Sequence, residues 1–208
     1  MRLRVDLHLH TVNSSDSYVT LEDAVRRCRE EGLDGFAVTD HDQLSTVSEG
    51  SGGDIIILPG MEISAVGAHI LAFDIAEPVP MGLSMAETVD RIHGQGGMAI
   101  IAHPYSVLRT WVNGDEVEAS GFDCVEVANA YQFPYRLMLE RNTALADKLG
   151  LPKTGGSDAH IPRVVGRAYT LLESQTRNRE GVLEALRKGE TSAEGRSISI
   201  LERLKLGR

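Results

Sequence analysis

Hydrophobic and polar residues alternate strictly over RLRVDLHLH at positions 2–10. Leu3, Val5, Leu7 and Leu9 fall on one face and Arg4, Asp6, His8 and His10 on the other, which predicts a strand with one polar face. The period then changes. Leu21, Ala24, Val25 and Cys28 stand at i, i+3, i+4 and i+7, with Thr20 ahead of them, Asp23 at the capping-box position and Gly32 after them; this predicts a helix with both ends marked. Apolar runs at 35–38, 55–58, 70–73, 99–102, 124–127 and 168–172 read as further strands, with a short one at 152–155. Helical stripes occur at 84–93, where Ser84 precedes Glu87 by three, and at 134–149 and 179–188. Strands that alternate with helices imply a parallel sheet or barrel, because each parallel connection needs a crossover.

No repeat, low-complexity tract or linker divides the chain, so one domain over residues 1–208 is expected. In the tail from Thr191, the threefold spacing of Ile198, Leu201 and Leu204 suggests a final element packed on the rest.

Composition narrows the class. With 42% hydrophobic and 25% charged residues the chain reads as globular. It has neither an apolar leader nor a run of the roughly 18 apolar residues that a membrane span requires, so a soluble, cytoplasmic protein with no membrane partner is expected. Cys28 lies on the apolar face of the first helix and Cys124 in a strand; both are expected as reduced core residues. A net charge of −9 disfavours broad binding to nucleic acid. Three divalent ions would offset about six of those charges at one place, so an anionic substrate remains compatible with an acidic chain.

The candidate chemistry lies just beyond the predicted strands: His8 and His10, Asp40 and His41, Glu62, His103, Asn129, and Asp158 with His160. In α/β folds this is the edge at which sites assemble. Two imidazoles two residues apart on a strand point to the same side and can reach one ion or two adjacent ions. Neutral imidazole adds ligands without adding negative charge, and a carboxylate can give one oxygen to each of two cations, which makes Glu62 the natural bridge. His93 falls mid-helix, outside these groups, and is expected to be an ordinary structural histidine.

These residues stand in the stretches DLHLHT (6–11), NSSD (13–16), TDHD (39–42), PGME (59–62), AHIL (68–71), AHP (102–104), EVAN (126–129) and GSDAH (156–160). In that order the chain resembles the polymerase and histidinol phosphatase (PHP) superfamily over most of its length. The resemblance implies a distorted seven-stranded (β/α)7 barrel with two or three divalent ions (manganese, zinc or iron) at the C-terminal edge of its strands. It implies that His8, His10, Glu62 and Asp158 hold the first ion and Glu62, His69 and His103 the second. Asp16, His41 and His160 would hold the third, and Asp16 stands where some members carry histidine.

The resemblance further implies a metal-activated hydroxide attacking a small phosphorylated substrate, a phosphomonoester or a nucleotide. Asp42 and His160 are candidate proton donors, and Asp6 and Asp40 candidates to fix imidazole tautomers. Arg163, Arg136 and Arg167 are candidate phosphate clamps, with Asn129 and Tyr105 as pocket residues. The competing readings are a nuclease, which needs a basic or aromatic groove, and a catalytically silent metal-binding module; related barrels also hydrolyse C–N bonds.

Overall fold

A computed structural model describes residues 1–48, 50–106 and 110–199. In chain order its elements are β1 (Arg2–Asp6), α1 (Leu21–Glu31), β2 (Gly35–Val38), β3 (Ile56–Ala65), β4 (Ala68–Phe73), α2 (Met85–His93), β5 (Met98–Ala102), β6 (Tyr105–Ser106), β7 (Thr110–Trp111), α3 (Gly114–Ser120), β8 (Cys124–Asn129), α4 (Tyr135–Leu149), β9 (Lys153–Gly156), a 3₁₀ turn (Pro162–Val164), β10 (Ala168–Glu173), α5 (Arg179–Lys188) and β11 (Thr191–Gly195). The helices begin and end where local chemistry places them. The Thr20 side chain accepts from Asp23 N, and Gly32 closes α1 in the left-handed region at φ 68. Ser84 and Glu87 form the reciprocal capping box of α2.

The sheet is larger and less parallel than expected. Nine strands run in the order β11-β10-β1-β2-β3-β4-β5-β8-β9, and β6 with β7 makes a separate hairpin. β3 pairs antiparallel with β4 and β4 with β5, while β10 adds antiparallel to β1 and β11 antiparallel to β10. Pro59 and Gly60 in sequence resemble a strand terminator, yet β3 runs through them to Ala65 and returns at once through Gly67 (φ 75). That direct hairpin leaves no crossover helix and so reverses strand direction. The expected α/β barrel class therefore holds, but in place of seven strands the described residues form a mixed sheet of nine, nearly closed into a barrel. Closure comes from the Thr170 hydroxyl, which accepts from Gly155 N and donates to Gly155 O at 2.8 and 2.9 Å.

Two apolar layers result. Leu3, Val5, Leu7, Leu58, Leu71, Phe73, Ile100 and Leu172 belong to an inner cluster that α5 joins through Val182, Ala185 and Leu186. The outer cluster joins the other faces of the strands to α1, α2, α3 and α4. The tail adds β11 and buries Ile198, whose N–H donates to Ala130 O; Leu201 and Leu204 lie outside the described residues. Among the described residues no helix is long and apolar enough to cross a membrane.

Candidate metal centre

The polar cluster continues the inner stripe of the strands. On β3, Ile56 and Leu58 face inward and Glu62 follows in the same parity; on β4, Phe73 and Leu71 lead to His69; on β8, Cys124 leads to Glu126. Each strand is therefore apolar at one end of its inner face and ionisable at the other.

β1 reaches the same edge differently. Strict alternation would place Leu9 with Leu7, but Leu7 lies in the inner cluster and Leu9 in the outer one. The switch occurs where the strand ends. The Asp6 carboxylate accepts from His8 N and Ser157 N through Oδ1 and from Gly166 N through Oδ2. The GSDAH segment then lies alongside: Asp158 N donates to His8 O at 2.7 Å and His10 N to Ala159 O at 3.1 Å. Asp42, His103 and Asp158 hold positive φ angles of 52, 29 and 54, a conformation that costs non-glycine residues about 1–3 kcal/mol each and concentrates at functional sites.

The side chains converge closely. His8 Nε2 and His10 Nε2 are 3.2 Å apart. Glu62 Oε1 is 3.4 Å from the first and Glu62 Oε2 is 3.3 Å from the second, while Asp158 Oδ1 stands 3.6 and 3.3 Å from the pair. On the far side Glu62 Oε1 meets His69 Nδ1 at 3.0 Å and His103 Nε2 at 3.1 Å, and Oε2 meets His41 Nδ1 at 2.9 Å. His10, His41 and His160 form another group with ligand atoms within 4.8 Å of one another. The half-exposed Asp16 lies at its rim, its Oδ2 3.3 Å from His160 Nε2 and 3.7 Å from His41 Nε2.

Electrostatics reinforce the cluster. Burial opposes a charge on His8, yet Glu126, Glu62 and Asp158 hold its pKa well above the usual histidine value. Burial likewise works against His10, which Asp158 and Glu62 raise to about 9. Despite burial, His8 and its neighbours hold Glu62 and Asp158 well below the usual carboxylate range.

A cation fits this arrangement. Glu62 Oε2, Asp158 Oδ1 and His160 Nε2 are buried and, although imidazole or carboxylate atoms lie near each, none makes a well-directed hydrogen bond, a costly state unless something else satisfies them. The imidazole tautomers point the same way. His8 Nδ1 faces the Glu126 carboxylate at 3.0 Å, which can only accept. His10 Nδ1 faces Ser14 Oγ at 3.3 Å, and that hydroxyl donates onward to Asp40. In the neutral rings, with both Nδ1 atoms donating, the two Nε2 lone pairs are turned toward each other, and a cation between them takes the place of the extra protons that the surrounding carboxylates otherwise favour. The mixed nitrogen and oxygen donors suit manganese, iron or zinc.

The other candidate residues lie in varied positions. Asn129 is fully buried; its amide donates to Glu126 Oε2 and Asp158 Oδ2 and so braces carboxylates. Both Asp42 oxygens are engaged by the Ser64 N–H and hydroxyl at 2.7 and 2.9 Å, so a proton-donor role requires releasing that hairpin anchor. Arg163 is exposed on the 3₁₀ turn and Arg136 exposed in the first turn of α4. Tyr105 pairs across its hairpin with Trp111, while the neighbouring Thr110 meets His103; alternation thus puts Tyr105 on the face away from the cluster. His93 bonds Asp123 at 2.9 Å, apart from the cluster.

Two expectations about tautomer-fixing carboxylates change. Asp6 serves backbone N–H groups and Asp40 acts through Ser14, whereas the carboxylate facing Nδ1 of His8 is Glu126, for which no role was expected. Its signal was present: Glu126 is the one charged residue in a strand otherwise reading as core, CVEVAN.

The sequence matches the PHP domain family over residues 6–148 and the PHP-associated family over 139–191. It is 31% identical over 145 residues to the uncharacterized protein MJ1587 of Methanocaldococcus jannaschii, covering 62% of this chain and 83% of that one. The fold is similar to that of PsfC from Pseudomonas syringae, with a TM-score of 0.76, 18% identity and coverage of 99% and 96% of the two chains. It is also similar to that of a two-domain protein from Bacteroides vulgatus containing a predicted PHP-like metal-dependent phosphoesterase, with a TM-score of 0.72, 21% identity and coverage of 99% and 69%.

Proposed function

Because the chain belongs to the PHP domain family, we propose that it is a metal-dependent phosphoesterase acting on a small phosphomonoester or a nucleotide. The observation that carries this reading is the facing Nε2 pair of His8 and His10, set against Glu62 Oε2 and Asp158 Oδ1, two buried oxygens that make no well-directed hydrogen bond. In this reading His8, His10, Glu62 and Asp158 hold one ion, and Glu62 shares a second with His69 and His103. His41 and His160 hold a third, with Asp16 at the rim and His10 within reach. Bound divalent ions supply Lewis acidity, making water nucleophilic near neutral pH and neutralising charge on phosphoryl oxygens.

The chain's contribution is placement. The Glu62 backbone is pinned beside the TDHD segment, its N–H donating to Asp40 O and its carbonyl accepting from Asp42 N. His160 donates from Nδ1 to Asp158 O at 2.8 Å, which turns Nε2 toward Asp16 as the ligand atom. The His8 and His10 side chains are sealed, whereas those of His41 and His69 are each 25% exposed. A phosphate therefore meets the cluster from the side of His41, His69 and Asp16.

The test combines metal analysis of the purified protein with hydrolysis of phosphomonoesters, nucleotides and short oligonucleotides in added manganese or zinc. His8→Ala is expected to lose both bound metal and activity, and His93→Ala to keep both. A protein that binds its metals yet is inert on the whole panel fits the silent-module reading instead, and a preference for oligonucleotides the nuclease reading.

A further inference from the structure

Glu126 lies at 1% exposure on β8 and touches two of the proposed ligand segments at once. Its Oε1 accepts from His8 Nδ1 at 3.0 Å. Its Oε2 accepts from the backbone N–H of His103 at 2.8 Å and from Asn129 Nδ2 at 3.1 Å. Asn129 in turn donates to Asp158 at 3.3 Å. One carboxylate thus reaches the ends of β1, β5 and β8 and, through Asn129, the GSDAH loop. From this we infer that Glu126 is a positioning residue for the metal centre: it holds the His8 proton on Nδ1, so that Nε2 is free to bind an ion, and it fixes the strained His103 backbone behind the second ion.

The inference rests on the metal-site reading above and makes a sharper demand. A carboxylate offers two acceptor oxygens here, and three donors use them. Glutamine fills the same volume but cannot meet that pattern. If its oxygen takes the Oε2 position, the amide group faces His8 Nδ1, which must then accept; the ring proton moves to Nε2 and blocks the ligand atom. If the amide is flipped, its N–H groups face the His103 N–H and the Asn129 amide, which are donors already. Both arrangements leave the ligands misplaced although the shape of the side chain is unchanged. Partners of this kind, one bond removed from the ion, are worth about 10–100-fold in metal affinity when altered.

Glu126 is itself within 4.8 Å of His8 and His103 ligand atoms, so the alternative is that it binds an ion directly. The bonds described above argue against this, since both of its oxygens are already occupied by hydrogen-bond donors.

The test measures zinc affinity by chelator competition and zinc stoichiometry for the full chain. The proteins compared are wild type, Glu126→Gln, Glu126→Asp and His8→Ala, each checked by circular dichroism and by thermal unfolding of the metal-free form. The expected result is an affinity about 10–100-fold weaker in Glu126→Gln, with an unchanged fold, an unchanged ion count at saturating zinc, and partial recovery in Glu126→Asp. Wild-type affinity in Glu126→Gln overturns the inference, and so does the clean loss of one ion with the others bound at full strength, which would make Glu126 a ligand. If wild type binds no zinc, or His8→Ala binds as well as wild type, the metal-site reading itself fails.

Discussion

Gly156 and His8 touch so closely that no other residue fits at position 156: a Cβ built there would stand 2.3 Å from His8 Cβ and 2.6 Å from His8 N. The glycine at the end of β9 is thus a condition for the position of the first histidine. Gly156→Ala must push β1 and β9 apart, at a cost of about 1–3 kcal/mol or more. The expected outcome is a lower thermal midpoint together with weakened metal binding. A variant that unfolds like wild type and retains its metal would show that the two strands yield there freely.

Asp6 carries a pH dependence of defined sign. Burial raises its carboxyl from 3.8 to about 6, although the N–H groups of Ser157, Gly166 and His8 pull the other way. A carboxyl with a raised pKa in the folded state contributes stability that is fully present below the unfolded value and is lost as pH rises toward 6. For this group the loss is about 3 kcal/mol, at roughly 1.4 kcal/mol for each pH unit. Denaturant unfolding of the metal-free protein between pH 4 and 6 should therefore show a downward component that Asp6→Asn lacks. Parallel curves for the two proteins would exclude it. At neutral pH the substitution also places an amide N–H against Gly166 N–H or Ser157 N–H, so a net loss of stability is expected there.

The loops beside the cluster are secured by Asn142, which is fully buried on α4. Its Oδ1 accepts from Tyr105 N at 3.2 Å, and its amide donates to Gln132 Oε1 at 2.9 Å and to Val127 O at 3.3 Å. Asn142→Leu strands these partners at a cost of about 1–3 kcal/mol for each one left unsatisfied. Limited proteolysis should show faster cleavage beside Tyr105 and Gln132, while metal content stays at the wild-type level. Equal cleavage rates in both proteins would remove Asn142 from this role.

Neither cysteine is available for chemistry in the folded protein. Burial pushes the Cys28 thiol up, and it raises Cys124 to about 12; thiols so placed are poor nucleophiles. A colorimetric thiol reagent at pH 8 is expected to label neither until denaturant is added and then to label both. Prompt labelling of the native protein would contradict the burial described for these positions.

What could be read from the sequence follows the range of the interactions involved. Thr20 with Gly32 and Ser84 with Glu87 mark helix ends through contacts a few residues long, and those helices were legible to within a residue or two. The candidate ligands were legible as motifs at strand ends, and the structure brings His8, His10, Glu62, His69, His103 and Asp158 into one cluster. The β3–β4 hairpin was not, because Pro59 and Gly60 look like punctuation until Phe73 is seen packing against the bare Gly60 Cα. The shift in parity after Leu7 was hidden as well. It depends on Asp6 meeting Ser157 and Gly166, 151 and 160 residues away, and no local period carries that information. Glu126 was missed because a periodic pattern reports which face a residue occupies and says nothing about who waits on that face.

That shift in parity has a consequence for how such a site can change over time. Leu7 turns into the barrel and Leu9 out of it, with His8 and His10 set between by the end of β1. Deleting or adding one residue between Asp6 and His8 would send both imidazoles toward the helical layer and a leucine into the pocket. A point substitution there removes one group, whereas a change of length inverts the whole segment. The number of residues in this stretch is therefore expected to be held more strictly than most of their identities, with differences among relatives appearing as exchanges and with insertions confined to the loops beyond Thr11.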